Sequence, residues 1–166
     1  QGRENKRQKS NAELNLQIDA YLPSAYISDE RQKIEIYKRI REIDSRVNYE
    51  NLQDELIDRF GEYPDVVAYL LEIGLAKSYL DQAFVKSVER QQNAVIIHFE
   101  KISQQLYLTQ DYFEALSMTN LKARIGEKNG LIEVIFDVRN KKDYEILEGL
   151  VNFGEKMLEI KQRKAE

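Results

Sequence analysis

Residues 121–138 read LKARIGEKNGLIEVIFDV, and the fold class turns on this stretch. Leu121, Ala123 and Ile125 alternate with their neighbours before Asn129-Gly130, and Ile132, Val134, Phe136 and Val138 alternate after it. A period of two marks a half-buried strand. Asn-Gly is the strongest short hairpin signal, because both residues tolerate the positive φ of a type I′ turn. The stretch therefore reads as two antiparallel strands, 121–127 and 131–138. Just upstream, 84–90 and 94–100 read as a second pair joined across Gln92-Asn93, with Val95, Ile97 and Phe99 sharing a face.

Helical spacing surrounds these pairs. Leu106 and Leu108 hint at a short strand, and Thr109 is placed to cap a helix reaching about Met118 with Tyr112, Phe113 and Leu116 on it. Residues 141–160 carry Tyr144, Leu147, Leu150, Val151, Phe153 and Leu158 at helical spacing, although Gly149 and Gly154 fall inside. Each glycine costs a helix about 1 kcal/mol against alanine.

Toward the N-terminus, Leu14, Leu16, Ile18, Ala20 and Leu22 alternate with polar residues, a strand pattern that Pro23 ends. Ser28 and Asp29 can cap a helix over about 29–45, with Ile34, Ile36, Tyr37, Ile40 and Ile43 recurring along it. Asn48 can cap a second helix striped by Tyr49, Leu52, Leu56 and Phe60 and stopped by Gly61. Pro64 opens a third helix, 64–82, apolar on most of its circumference and so the expected spine of the core.

The class is α+β: an N-terminal strand and helical half, followed by a ββαββα-like antiparallel sheet with helices packed on one face. Similarity between the two strand-strand-helix units is too slight to establish a duplication. Residues 1–12 read as a basic linker and 13–161 as a single domain, helical over about 28–82 and sheet-rich over about 84–160.

Composition narrows the function. The chain has 166 residues, 42% hydrophobic and 33% charged, which is globular rather than disordered. It has no Cys and one His, so thiolate chemistry and His-rich metal sites are excluded. Absence of Cys fits a reducing, cytoplasmic setting. No GxxxxGK or GxGxxG phosphate loop occurs, and no apolar run is long enough for a membrane span. The only Met residues are Met118 and Met157, so the chain reads as a piece of a longer one or a processed product. Arg3, Lys6, Arg7 and Lys9 against Glu4 give residues 1–10 a net +3. The whole chain carries −4, so residues 11–166 carry −7 and would be repelled by a nucleic-acid backbone unless a basic face is concentrated somewhere. The basic arm reads as a solvated linker or a nucleic-acid contact.

His98, opposite Val95, Ile97 and Phe99, reads as a surface or sheet-edge residue. Most of the ten Tyr and six Phe lie at core spacing rather than as stacking platforms. The polar feature that stands out is on the helix of residues 49–60. Glu55, Asp58 and Arg59 fall in one arc of about 100° bordering the stripe of Leu52, Leu56 and Phe60. An ordinary solvated helix edge looks like this, with the Glu55–Arg59 pair adding only about 0.2–0.5 kcal/mol to the helix. Charges beside apolar residues are also what a protein–protein contact uses, the charges for orientation and the anchors for affinity.

Two longer runs carry a resemblance. Ala20-Tyr21-Leu22-Pro23-Ser24-Ala25-Tyr26-Ile27 with Ile34-Glu35-Ile36-Tyr37-Lys38-Arg39-Ile40 is one, and Glu55-Leu56-Ile57-Asp58-Arg59-Phe60-Gly61 with Pro64 is the other. Together they resemble the C-terminal domain of the bacterial transcription-repair coupling factors, strongly over 14–82 and by element pattern over 84–160. The family's ATPase translocase motor lies upstream of this domain. The resemblance therefore implies a non-catalytic regulatory domain, without cofactor or metal, joined to the motor by the basic linker. It implies docking on a UvrB-like N-terminal module of the same chain, covering the UvrA-binding surface and restraining the ATPase until RNA polymerase is engaged. Carried over one at a time, the docking residues are Glu55, Asp58 and Arg59. Strong nucleic-acid binding by the domain alone is not expected, nor is a membrane role. The alternatives are an accessory nucleic-acid-contacting module and a self-associating domain.

Overall fold

The computed structural model describes residues 11–166. The basic arm, read above as a linker or a nucleic-acid contact, lies within 1–10 and so outside the described residues. Both hairpins form. Val85–Gln91 (β2) pairs antiparallel with Ala94–Phe99 (β3), and Lys122–Lys128 (β4) pairs antiparallel with Leu131–Asp137 (β5). Asn129 and Gly130 take φ of 55° and 80°, the left-handed pair that a type I′ turn requires. β3 and β5 join the hairpins, with Val95 opposite Phe136 and Ile97 opposite Val134. All four are buried on one face of the sheet.

A fifth strand, Glu13–Asn15 (β1), pairs parallel with β2 and completes the order β1-β2-β3-β5-β4. The alternation of residues 14–22 predicts a longer strand than this. Gln17 turns into the left-handed region at φ 58°, which takes the backbone off the ladder. Leu16 and Leu22 are buried all the same, and the Tyr21 N–H donates to the Val66 carbonyl at 3.3 Å. The alternating side chains found a core without a strand to carry them.

The helices are Glu30–Arg41 (α1), Arg46–Phe60 (α2), Asp65–Gln82 (α3), Ser103–Leu106 (α4), Thr109–Leu116 (α5) and Asp143–Lys164 (α6). Asp29 caps α1, its carboxylate accepting from the N–H of Arg31 at 2.8 Å and of Gln32 at 3.1 Å. For α2 the cap is Ser45, not Asn48. Ser45 Oγ accepts the Asn48 N–H, and Asn48 Oδ1 accepts the Ser45 N–H, both at 3.2 Å. This reciprocal capping box puts Asn48 one turn inside the helix. Leu106 and Leu108 form no strand: Leu106 ends a one-turn helix against the core, while Leu108 is 56% exposed. Thr109 is the first helical residue of α5 rather than its cap, and Asp111 Oδ2 accepts the Leu108 N–H at 2.7 Å.

The spine is α3, as its composition predicts, with Val67, Leu71, Leu75, Ala76, Tyr79 and Leu80 buried. It runs parallel to α6, with Tyr79 bonded to Glu155 and the Gln82 carbonyl to Lys161. The two glycines in α6 mark where neighbours come closest. A Cβ at Gly149 would lie 2.6 Å from Leu121 Cδ1, and one at Gly154 would lie 3.1 Å from Tyr79 Cβ. Their helical cost is offset by an approach that alanine would prevent. α1 and α2 pack on α3, so the helical hairpin stands at the surface of a domain whose core lies between α3, α6 and the sheet.

Candidate functional site

α1 and α2 are joined by residues 42–45 and lie side by side, so each presents one polar flank to the other. Arg39 Nη1 donates to Glu55 Oε1 at 2.6 Å across that seam. Arg59 Nη1 donates to Glu55 Oε2 at 2.8 Å along α2, and Arg59 Nη2 reaches back to Glu35 Oε1 on α1 at 3.6 Å. The result is an alternating series, Arg39–Glu55–Arg59–Glu35, at the helix–helix seam. The Arg59 guanidinium also sits 4.9 Å from the centre of the Phe60 ring, a cation–π contact.

Both oxygens of Glu55 are thus engaged by guanidinium groups, which are geometrically specific partners for a carboxylate. The Arg39 hydrogen bond, and after it that of Arg59, holds the Glu55 carboxyl below its ordinary range. Conversely, the hydrogen bond to Glu55 raises the Arg59 guanidinium above its own. The side chains of Arg39, Glu55 and Arg59 are each about a third exposed, so water screens these pairs. Each adds at most about 1 kcal/mol to stability. Their larger effect is to fix where two charges point.

Asp58 differs from its two companions. It is exposed, and among the described residues it makes no hydrogen bond or ion pair. One helical turn around it the surface continues with Asp54, also exposed, and Ile57. Ile34 on α1 is exposed as well, at 65%. A carboxylate without a partner among the described residues, beside a fixed charge network and next to the exposed Ile57, is chemically suited to a polar protein contact with an apolar anchor.

The helical arc on α2 brings Glu55 and Arg59 into contact and leaves Asp58 apart from them. Arg39 and Glu35 belong to the same network and carry no role in the sequence reading. The signal was their i,i+4 spacing beside Ile36 and Ile40, on the flank that α1 turns toward α2. His98 stands on an interior strand, not an edge, on the uncovered face of the sheet, with Nδ1 3.5 Å from Glu133 Oε1. Phe99, Tyr107, Tyr112, Phe136 and Phe153 meet edge to face in the core. Among the described residues no group of three or more His, Cys, Asp or Glu is placed to hold a metal ion, and no helix is long and apolar enough to cross a membrane.

By architecture, this is an α+β domain with a charged helical hairpin at its surface; comparison with known proteins supplies its family. The TRCF domain model matches residues 16–110. A solved structure described as the C-terminal domain of transcription-repair coupling factor superposes with a TM-score of 0.91 at 72% identity, covering 93% of this chain and 96% of that one. The transcription-repair-coupling factor of Bacillus subtilis is 27% identical over 158 residues, 95% of this chain, and that of a Staphylococcus epidermidis strain is 30% identical over 149 residues, 90% of this chain. The chain belongs to the TRCF domain family, the C-terminal domain of transcription-repair coupling factors. It spans 13% of the length of each of those two relatives.

Proposed function

We propose that this chain is a regulatory, autoinhibitory domain of a DNA-repair translocase acting in the cytoplasm. It docks through Glu55, Asp58 and Arg59 on a UvrB-like N-terminal module of the same polypeptide. Docking masks the UvrA-binding surface and restrains the ATPase until RNA polymerase is engaged. The observation that supports this reading is the pairing of a fixed Arg39–Glu55–Arg59–Glu35 network with an Asp58 that has no partner among the described residues, on the same surface. The network costs little side-chain entropy on docking because its members are already held, and Asp58 has an unused charge for a cation on the facing module.

Covalent linkage makes such a contact effective without making it strong. A tethered module faces its site at millimolar effective concentration when the linker is short and flexible, so a modest interface competes with free UvrA. Release then needs only the differential affinity of a polymerase-bound state for the open form. Couplings between sites run to about 1–3 kcal/mol, or roughly 5–150-fold in affinity.

Asp58→Arg in the full-length parent protein is the sharpest test, because it reverses a charge with no partner among the described residues. UvrA affinity and ATPase rate are expected to rise together, by at least about 5-fold in affinity on the coupling above. Glu55→Ala with Asp58→Ala and Arg59→Ala should act in the same direction. A folded Asp58→Arg protein with unchanged UvrA affinity and unchanged ATPase would contradict the proposal.

A further inference from the structure

At the far edge of the sheet, β4 has β5 on one side and, among the described residues, no strand on the other. Alternate backbone N–H and C=O groups along Lys122–Lys128 therefore point outward with no partner in the ladder. The side chains of this edge are sorted by the period of two. Lys122 and Arg124 project to the uncovered face of the sheet, in register with Asp137 and Ile135 of β5. Ala123 and Ile125 project to the other face, opposite Phe136 and Val134, yet Ala123 is exposed and Ile125 only half-buried. The helices cover the middle of the sheet and stop short of this edge.

Next to the edge a cleft of about 480 Å³ opens between the β2–β3 turn and the start of β4, lined by Gln91, Asn93, Lys122, Arg124, Ile135 and Arg139 among others. Lys122, Arg124 and Arg139 are exposed, and among the described residues their side chains make no ion pair or hydrogen bond. Three cations without an ion pair among the described residues thus gather with one carboxylate, Asp137, at one concavity of a body whose residues 11–166 carry −7. Charged edge residues ordinarily discourage indiscriminate strand pairing. The same cations favour a strand of opposite charge.

We infer that the β4 edge accepts an extended acidic segment of a partner protein, added as a sixth strand. Its alternate residues are acidic, facing Lys122 and Arg124, and those between are small and apolar, covering Ala123 and Ile125. Backbone bonds supply affinity in this mode, and alternate side-chain sites supply specificity. Residues i and i+2 on a strand lie about 6.6–6.8 Å apart, so Lys122 and Arg124 meet two acidic residues separated by one apolar residue. Other occupants fit worse. Residues 1–10 carry +3 and would be repelled. A second copy pairing β4 on β4 would bring Lys122, Arg124 and Lys128 of both chains together. A nucleic acid would find no exposed aromatic in the cleft to stack on. The inference does not rest on docking by α2.

The probe is a seven-residue peptide alternating glutamate and valine, blocked at both ends and titrated into this chain while backbone amide signals are followed by NMR. Saturable binding is expected, with shifts and exchange protection concentrated in residues 122–128. Methylating alternate peptide nitrogens, which prevents strand pairing and keeps the charge, should weaken binding at least 10-fold. Lys122→Glu with Arg124→Glu should do the same without altering the far-UV spectrum. The inference is overturned if the N-methylated peptide, or one with its glutamates in a single block, binds as well as the alternating one. No saturable binding, or tighter binding of a 20-nucleotide thymidine oligomer that the double variant abolishes, would equally overturn it.

Discussion

Glu55 is held by two cations and Asp58, three residues on, by none among the described residues, and this asymmetry sets what each substitution reports. A carboxyl whose folded pKa is depressed contributes stability above its unfolded pKa, about 4.3 for Glu, and loses it as pH falls through the folded value. Thermal melts of the native chain should therefore fall in acid more steeply than those of Glu55→Gln, with the curves separated by about 0.2–1 kcal/mol near neutral pH. Parallel curves from pH 7 down to pH 2 would show that the Arg39–Glu55–Arg59 series contributes nothing. Glu72 has the opposite sign. Burial first, and then Glu148, raise its carboxyl above the ordinary range. Any stability from its protonated form is present at low pH and lost as pH rises through the raised value. Glu72→Gln should accordingly raise Tm at pH 7 and raise it less at pH 4, in melts run at both. The arc of Glu55, Asp58 and Arg59 was legible from helical spacing alone. Arg39 and Glu35 were not, because their partners lie across a seam whose rotation depends on how both helices seat on α3.

Element by element, a local signal specifies its outcome where it has one physical solution and leaves it open where it has two. Asn129-Gly130 admits a single turn type and specified the β4–β5 hairpin. Ser45 and Asn48 both suit a cap, and only the reciprocal bonds between them decide which residue starts α2. Ser45→Ala should cost about 1 kcal/mol by chemical denaturation, and Asn48→Ala, which loses the bonds from the Asp44 and Ser45 N–H groups and the one to Asp44 Oδ1, should cost at least as much. A loss at Asn48 well below that at Ser45 would mean that the Asn48 side-chain bonds add nothing to the helix start. The strand pattern of residues 14–22 failed for another reason: alternation reports which side chains are buried, not whether a neighbour is present to complete a ladder. Gly149 and Gly154 counted against the last helix for the same reason, since the approach of Leu121 and Tyr79 is invisible to local propensity. Gly149→Ala must displace Leu121 and should destabilise by about 1–3 kcal/mol. Gly149→Ala combined with Leu121→Ala should recover part of that loss; a fully additive pair would place the strain elsewhere.

On the scale of the molecule, one sheet face and two parallel helices form the centre of the core, the α1–α2 hairpin adds Ile36, Ile40, Leu52 and Leu56 to it, and the outer flank of that hairpin and the β4 edge are separate surfaces. Docking through the hairpin, as proposed above, would make the domain a reversible cover, held by tethering more than by area. The direct measurement is calorimetric titration of this chain into the separately produced UvrB-like module, with native Asp58 and with Asp58→Arg. Docking through α2 predicts measurable binding that UvrA displaces and that Asp58→Arg weakens at least 10-fold while the melting curve stays unchanged. Equal affinity for the native and Asp58→Arg chains would contradict it.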